Sequence, residues 1–210
     1  MTRLGFLIAR TLRQEAPLAA MSLPMDQVLA RFTGTVALVG NARSLSETTF
    51  GAGIDAANTV IRINRAPMPA ATSHGTRTDA LALATSIGAE TLARLNPALI
   101  FWMSHKRKRL PWAVASRPGF VLPPLADFNR LKAALGAPPT TGLLMIDLLS
   151  RSPATRVSLY GFDFFASQSL TGSRTAAQVP HDFAAERAFT LALMARDPRF
   201  HLRAASALTE

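Results

Sequence analysis

The sequence predicts an α/β fold, a mostly parallel sheet flanked by helices, and three observations carry that reading. Short apolar runs rich in β-branched residues recur, beginning at 36–39 and 60–63, each brief enough for a buried strand. Stretches of helical period separate them, the alternation that builds a parallel sheet with helices on both faces. At 210 residues, 49% hydrophobic and 17% charged, the chain can bury one core of ordinary size and is globular. The expected division is a helical connector over 1–34 and a single α/β domain over 35–210.

Composition bounds the chemistry. There is no cysteine, so neither a disulfide nor a thiolate metal site can form. A formal charge of +10, from 23 Lys and Arg against 13 Asp and Glu, favours acidic partners: nucleotides, anionic glycans, lipid head groups or nucleic acid. No run approaches the roughly eighteen apolar residues of a spanning helix. Residues 4–9 are apolar between Arg3, Arg10 and Arg13, a short basic amphipathic helix that either packs on the domain or rests on an anionic membrane surface.

In chain order, Pro17 and Pro24 punctuate a connector with a short helix near 25–32, closed by Gly34 before the first strand. The second strand ends at Pro67-Met68-Pro69, and no helix is expected before the next strand-like run, 79–85, so this link reads as a loop over the ligand edge. A helix at 88–95 and a buried strand at 98–103 come next, then the basic run His105-Lys106-Arg107-Lys108-Arg109. That run reads as a solvated face, as an anion-holding part of the ligand edge, or as a nucleic-acid contact; Trp102 and Trp112 are not interleaved with it as stacking would need. A strand at 119–122, a helix at 127–135, a largely buried helix at 143–149, a strand at 156–161, a polar loop at 166–180, a helix from 181 to 196 and an edge strand at 200–203 complete the chain.

The first strand breaks at Gly40 into Asn41-Ala42-Arg43-Ser44, and the second strand ends in Asn64 between Arg62 and Arg65. In a Rossmann-like unit this turn lies at the carboxyl edge of the sheet, where free N–H groups face an anion. The dinucleotide fingerprint of spaced glycines and a distal acid is absent, so NAD is disfavoured. An amide between two cations suits a phosphorylated ligand instead.

Val39-Gly40-Asn41, Arg62-Ile63-Asn64-Arg65-Ala66-Pro67 and Gly75-Thr76-Arg77-Thr78-Asp79 together resemble the long sialyl motif of the eukaryotic-type sialyltransferases, glycosyltransferase family 29. Pro139-Thr140-Thr141-Gly142 with Leu159-Tyr160-Gly161-Phe162 resembles the short motif, and the span from His181 to Glu186 has the His-x-x-x-x-Glu form of the very-short motif. The three stand in the family's order.

The resemblance implies a small bacterial-type member with a GT-A-like variant of the Rossmann-like sheet. Its implied activity is inverting, metal-independent transfer of sialic acid, or a related keto-acid sugar such as Kdo, from a CMP-sugar to an acceptor glycan or glycolipid of anionic character. No cofactor beyond that donor is implied, and no nucleic acid. Eukaryotic members tie the long and short motifs by a disulfide in the Golgi, a tie this chain replaces by packing. The expected location is cytoplasmic, peripheral at the inner membrane face.

Carried over residue by residue, Asn41, Arg43 and Asn64 fall to the nucleotide, Thr140, Thr141 and Gly142 to its sugar and phosphate, and Gly161 and Phe162 to the base region. Asn41 also suits a turn, and Thr140 or Thr141 a helix N-cap, without any ligand. His181 reads as the base that deprotonates the acceptor hydroxyl, with Asp182 or Glu186 orienting its ring; the plainer reading is a structural histidine and a solvated helix glutamate. The family's further histidine, which steadies the leaving phosphate, has no counterpart in 163–180, where Gln168, Ser173 and Arg174 are the substitutes. Two other readings stay open: a nucleotide-binding module without transferase activity, and a basic RNA-binding protein.

Overall fold

Val36 and Leu38 join the core on one face of the first strand, Ala37 and Val39 on the other, and all four are buried. A strand buried on both faces reads as continuous apolar sequence because both sides pack against helices. In the computed structural model, which describes residues 1–164, 170 and 179–203, seven strands are described: β1 (Thr35–Val39), β2 (Thr59–Ile63), β3 (Ala80–Leu83), β4 (Leu99–Trp102), β5 (Phe120–Val121), β6 (Arg156–Tyr160) and β7 (Phe200–Arg203). They form one sheet in the order β5-β4-β3-β2-β1-β6-β7, with every pairing parallel. The expected mostly parallel sheet is thus parallel throughout.

The described helices are α1 (Arg3–Leu12), α2 (Glu15–Ala19), α3 (Met25–Ala30), α4 (Gly51–Asp55), α5 (Ala71–His74), α6 (Ala89–Leu95), α7 (Trp112–Ala115), α8 (Leu125–Leu135), α9 (Thr141–Ser150) and α10 (Phe183–Arg196). One core joins the sheet to α3, α8, α9 and α10. Two clusters fill the other side, Phe6, Leu18, Leu92 and Val114 over β3, β4 and β5, and Leu45, Ile54 and Ala57 over β1, β2 and β6.

Two local expectations need correction. The link between β2 and β3 contains α5, a single turn too short to carry a hydrophobic period. The connector holds α2 as well as α3, and Pro17 is accommodated because it lies in the first turn, where an N–H has no intrahelical acceptor. Between β1 and β2 a 3-10 turn over Arg43–Glu47 precedes the short α4.

Arg62 departs furthest from expectation. Its guanidinium is 1% exposed, not facing a ligand, and donates from Nε to the Arg77 carbonyl at 2.7 Å and from Nη2 to the His74 carbonyl at 2.8 Å. Burial pushes its pKa down to about 10. Beside it, Asp55 accepts from the Thr76 and Arg77 backbone N–H groups at 2.8 and 3.0 Å, and Asp79 accepts from Val60 N–H at 2.8 Å. The Gly75-Thr76-Arg77-Thr78-Asp79 segment is therefore a brace that fixes the amino end of β3 against β2. Arg62→Met leaves two carbonyls without their donor and lowers unfolding free energy by about 3 kcal/mol. Urea denaturation measures this; an unchanged midpoint would show that the brace carries no stability.

Candidate active site at the carboxyl rim of the sheet

The chain runs outward from β1 to β5 and then returns to place β6 on the other side of β1. This is the topological switch point of the sheet, where loops leaving two neighbouring strands part and open a crevice. Gly40 and Asn41 leave β1 here, and Gly161 and Phe162 leave β6. Gly40 N–H donates to the Tyr160 carbonyl at 2.7 Å. The two loops press so closely that a Cβ on Gly40 would lie 2.4 Å from the Gly161 carbonyl oxygen. Only a residue without a side chain fits that crossing.

Asn41 reaches across the rim, its Nδ2 donating to the Ile63 carbonyl at the end of β2 at 3.1 Å. Its own carbonyl accepts from Leu170 N–H at 2.8 Å. Asn64, one residue further, has a φ of 54°, and its Oδ1 accepts from Ala84 N–H at 2.9 Å beyond β3. That oxygen is committed to joining the two loops. Arg43 is exposed on the adjoining 3-10 turn, and the same turn is tied to the β6 loop by Ser44 Oγ donating to Asp163 Oδ2 at 3.0 Å.

The amino end of α9 completes the rim. Gly142 lies against Phe162 and Ile63: a Cβ there would meet Phe162 Cε1 at 2.7 Å and Ile63 Cδ1 at 3.6 Å. Short-motif and long-motif residues are thereby in contact without a covalent tie. Thr140 caps the helix, its Oγ1 accepting from Leu143 N–H at 3.2 Å. Thr141, the first helical residue, is 9% exposed.

Glu186 lies one and a half turns from His181 in sequence but serves Thr140. Its Oε1 accepts the Thr140 N–H at 2.6 Å and its Oε2 the Thr140 hydroxyl at 2.7 Å. It is 4% exposed, not solvated. Burial pushes its pKa up from 4.5 to about 7, against the downward pull of the two Thr140 donors. Asp182 caps α10, accepting Ala185 N–H at 2.9 Å. The expectation that Asp182 or Glu186 orients the imidazole is thus corrected at the level of hydrogen bonds. The partner of His181 Nδ1 is the Pro138 carbonyl, at 2.7 Å.

A carbonyl oxygen can only accept, so Nδ1 carries the proton and Nε2 of the neutral ring is left as the basic nitrogen. Sequence reasoning does not single out Pro138; its one signal is the Pro138-Pro139 pair, which stiffens the approach to Thr140. Gln168, Ser173 and Arg174 lie outside the described residues. Among the described residues no group of three or more His, Asp or Glu side chains is placed to hold a metal ion.

Comparison with known proteins agrees with this architecture. Over 86% of this chain and 78% of the other, it matches the crystal structure of a mammalian sialyltransferase with a TM-score of 0.62 and 17% identity. The sialyltransferase CstII from Campylobacter jejuni, in complex with cytidine-5'-monophosphate, matches over 83% of this chain and 81% of its own with a TM-score of 0.53 and 14% identity. A CstII structure with trisaccharide acceptor and CMP matches over 83% and 82%, with a TM-score of 0.53 and 16% identity. At such identities the likeness is one of fold, and the fold is that of the sialyltransferase class.

In sequence, residues 16–109, which take in the long-motif segments, match the model for glycosyltransferase family 29 (sialyltransferase), a similarity confined to that part of the chain. No curated protein sequence matches it.

Proposed function

We propose that this chain transfers sialic acid, or a related keto-acid sugar such as Kdo, from its CMP donor to a hydroxyl of an acceptor glycan by a direct, inverting displacement that needs no divalent metal. The observation that supports the proposal is the hydrogen bond from His181 to the Pro138 carbonyl, which ties the imidazole to the segment leading into the Thr140 cap, while Gly142 in the first turn of the same helix lies against Phe162. In the step, the acceptor oxygen bonds to the anomeric carbon as the bond from that carbon to the CMP phosphate oxygen breaks. The acceptor proton passes to His181 Nε2, and CMP leaves with the bonding pair. Thr141 and Gly142, with the amide groups of the first turn of α9, face the charge that gathers on the phosphate. CMP as a leaving group needs little covalent help, so positioning and charge stabilisation are the protein's task.

The test is ligand-induced stabilisation followed by turnover. CMP at about 100 times its dissociation constant raises unfolding free energy by about 2.7 kcal/mol, read as a rise in melting temperature with EDTA present, while NAD and RNA give none. A panel of CMP-sugars is then assayed for hydrolysis and transfer. Stabilisation by CMP with no turnover of any CMP-sugar would leave a nucleotide-binding module, and no stabilisation by CMP would overturn the site.

A further inference from the structure

We infer that α1 and the basic turn after β4 together form a docking surface for an anionic phospholipid bilayer. Helix α1 is held to the domain by one face only. Phe6 and Ala9 are 0% and 2% exposed, Arg10 Nη1 donates to the Leu110 carbonyl at 3.2 Å, and its guanidinium carbon stands 5.6 Å from the Phe6 ring centre. The opposite face is apolar and uncovered: Leu4 is 68% exposed, Ile8 50% and Leu12 62%, with Leu7 at 37% beside them. Leu4, Ile8 and Leu12 are spaced by four, so they form a single ridge along the helix, and with Leu7 they are four of the six large exposed apolar side chains among the described residues.

Such a ridge exposed to water is costly, and its chemistry identifies what covers it. Arg3 and Arg13 lie exposed at its two ends. Lys106, Lys108 and Arg109 are exposed on the turn that packs beside α1, whereas Arg107 is buried, its Nε donating to Glu15 at 2.9 Å. An apolar ridge with Arg3 and Arg13 at its ends and three more exposed cations on the turn beside its helix, on a chain of formal charge +10, matches the acyl boundary and phosphate layer of an anionic bilayer. A second copy of this chain would meet the same cations. Among the described residues no helix is long and apolar enough to cross a membrane, so the contact is one of lying on the surface.

Co-sedimentation with vesicles tests this without any sugar substrate, so its outcome is independent of the transfer reaction. The full chain is expected to bind vesicles of phosphatidylcholine with 30% phosphatidylglycerol (about one anionic lipid in three, the range over which basic residues respond), and to bind pure phosphatidylcholine at least about tenfold more weakly. The triple variant Leu4→Ser, Ile8→Ser, Leu12→Ser keeps its melting temperature, because the three side chains are exposed, and loses vesicle affinity at least about tenfold. The variant Lys106→Glu, Lys108→Glu, Arg109→Glu loses the preference for anionic lipid. No binding to anionic vesicles would overturn the inference, as would equal binding by the serine variant. A dimer in solution that the serine substitutions dissociate would also overturn it, by assigning the ridge to a second copy.

Discussion

His181→Ala lowers kcat for transfer from a CMP-sugar by about 10²- to 10⁴-fold, the contribution of a positioned general base, while the rise in melting temperature given by CMP persists. The separation is expected because the nucleotide contacts assigned to Asn41, Thr141, Gly142 and Phe162 do not pass through the imidazole. The side chain is half-buried and its Nδ1 bond goes to a backbone carbonyl, so its removal costs the fold little. A second readout separates base from prop: the loss falls on kcat, while KM for the CMP-sugar stays near the wild-type value. A variant that turns over at the wild-type rate would remove His181 from the mechanism.

Glu186 gives a large expected effect of pH on stability, and its sign is opposite to that of an ion-paired carboxylate. Burial raises its pKa from 4.5 to about 7, so over that interval the folded chain holds a proton that the unfolded chain has released. Stability is therefore fully present below pH 4.5 and falls as pH rises to about 7. The loss is on the order of 3 kcal/mol. Glu186→Gln keeps an acceptor for the Thr140 N–H and a partner for its hydroxyl while removing the ionisation. Urea midpoints for both proteins across the interval are expected to diverge as pH rises, the wild type falling relative to the glutamine variant. Parallel curves would show that the carboxyl is already ionised in the fold at the lower end of the interval.

Much of the architecture is legible in the sequence because both faces of the sheet are covered. Strands such as β1 and β4 appear as unbroken apolar runs, and the long buried α9 appears as another that length alone distinguishes. The short helices α4 and α5 are illegible for the complementary reason: four or five residues do not complete enough turns to show a period, and tertiary contacts hold them. At the rim, residue identities mark the segments that meet but not several of the bonds between them. His181 pairs with a carbonyl 43 residues away, and a backbone acceptor leaves no trace in residue identity. Arg62 reads as a ligand-facing cation in sequence because its acceptors are carbonyls of His74 and Arg77, which only the fold brings beside it.

The placement of β6 beside β1 has a consequence for how this molecule is made. Ser44 and Asp163, which close the crevice between those strands, are separated by 119 positions. During synthesis β1 through β5 can assemble while one edge of β1 waits, unpaired and apolar, until the ribosome has released most of the remaining polypeptide. Contacts of such long range slow folding, and an open edge in the interval invites intermolecular pairing. Expression at lowered temperature or with chaperones is therefore expected to favour soluble product, and the crevice is among the last features the nascent chain completes.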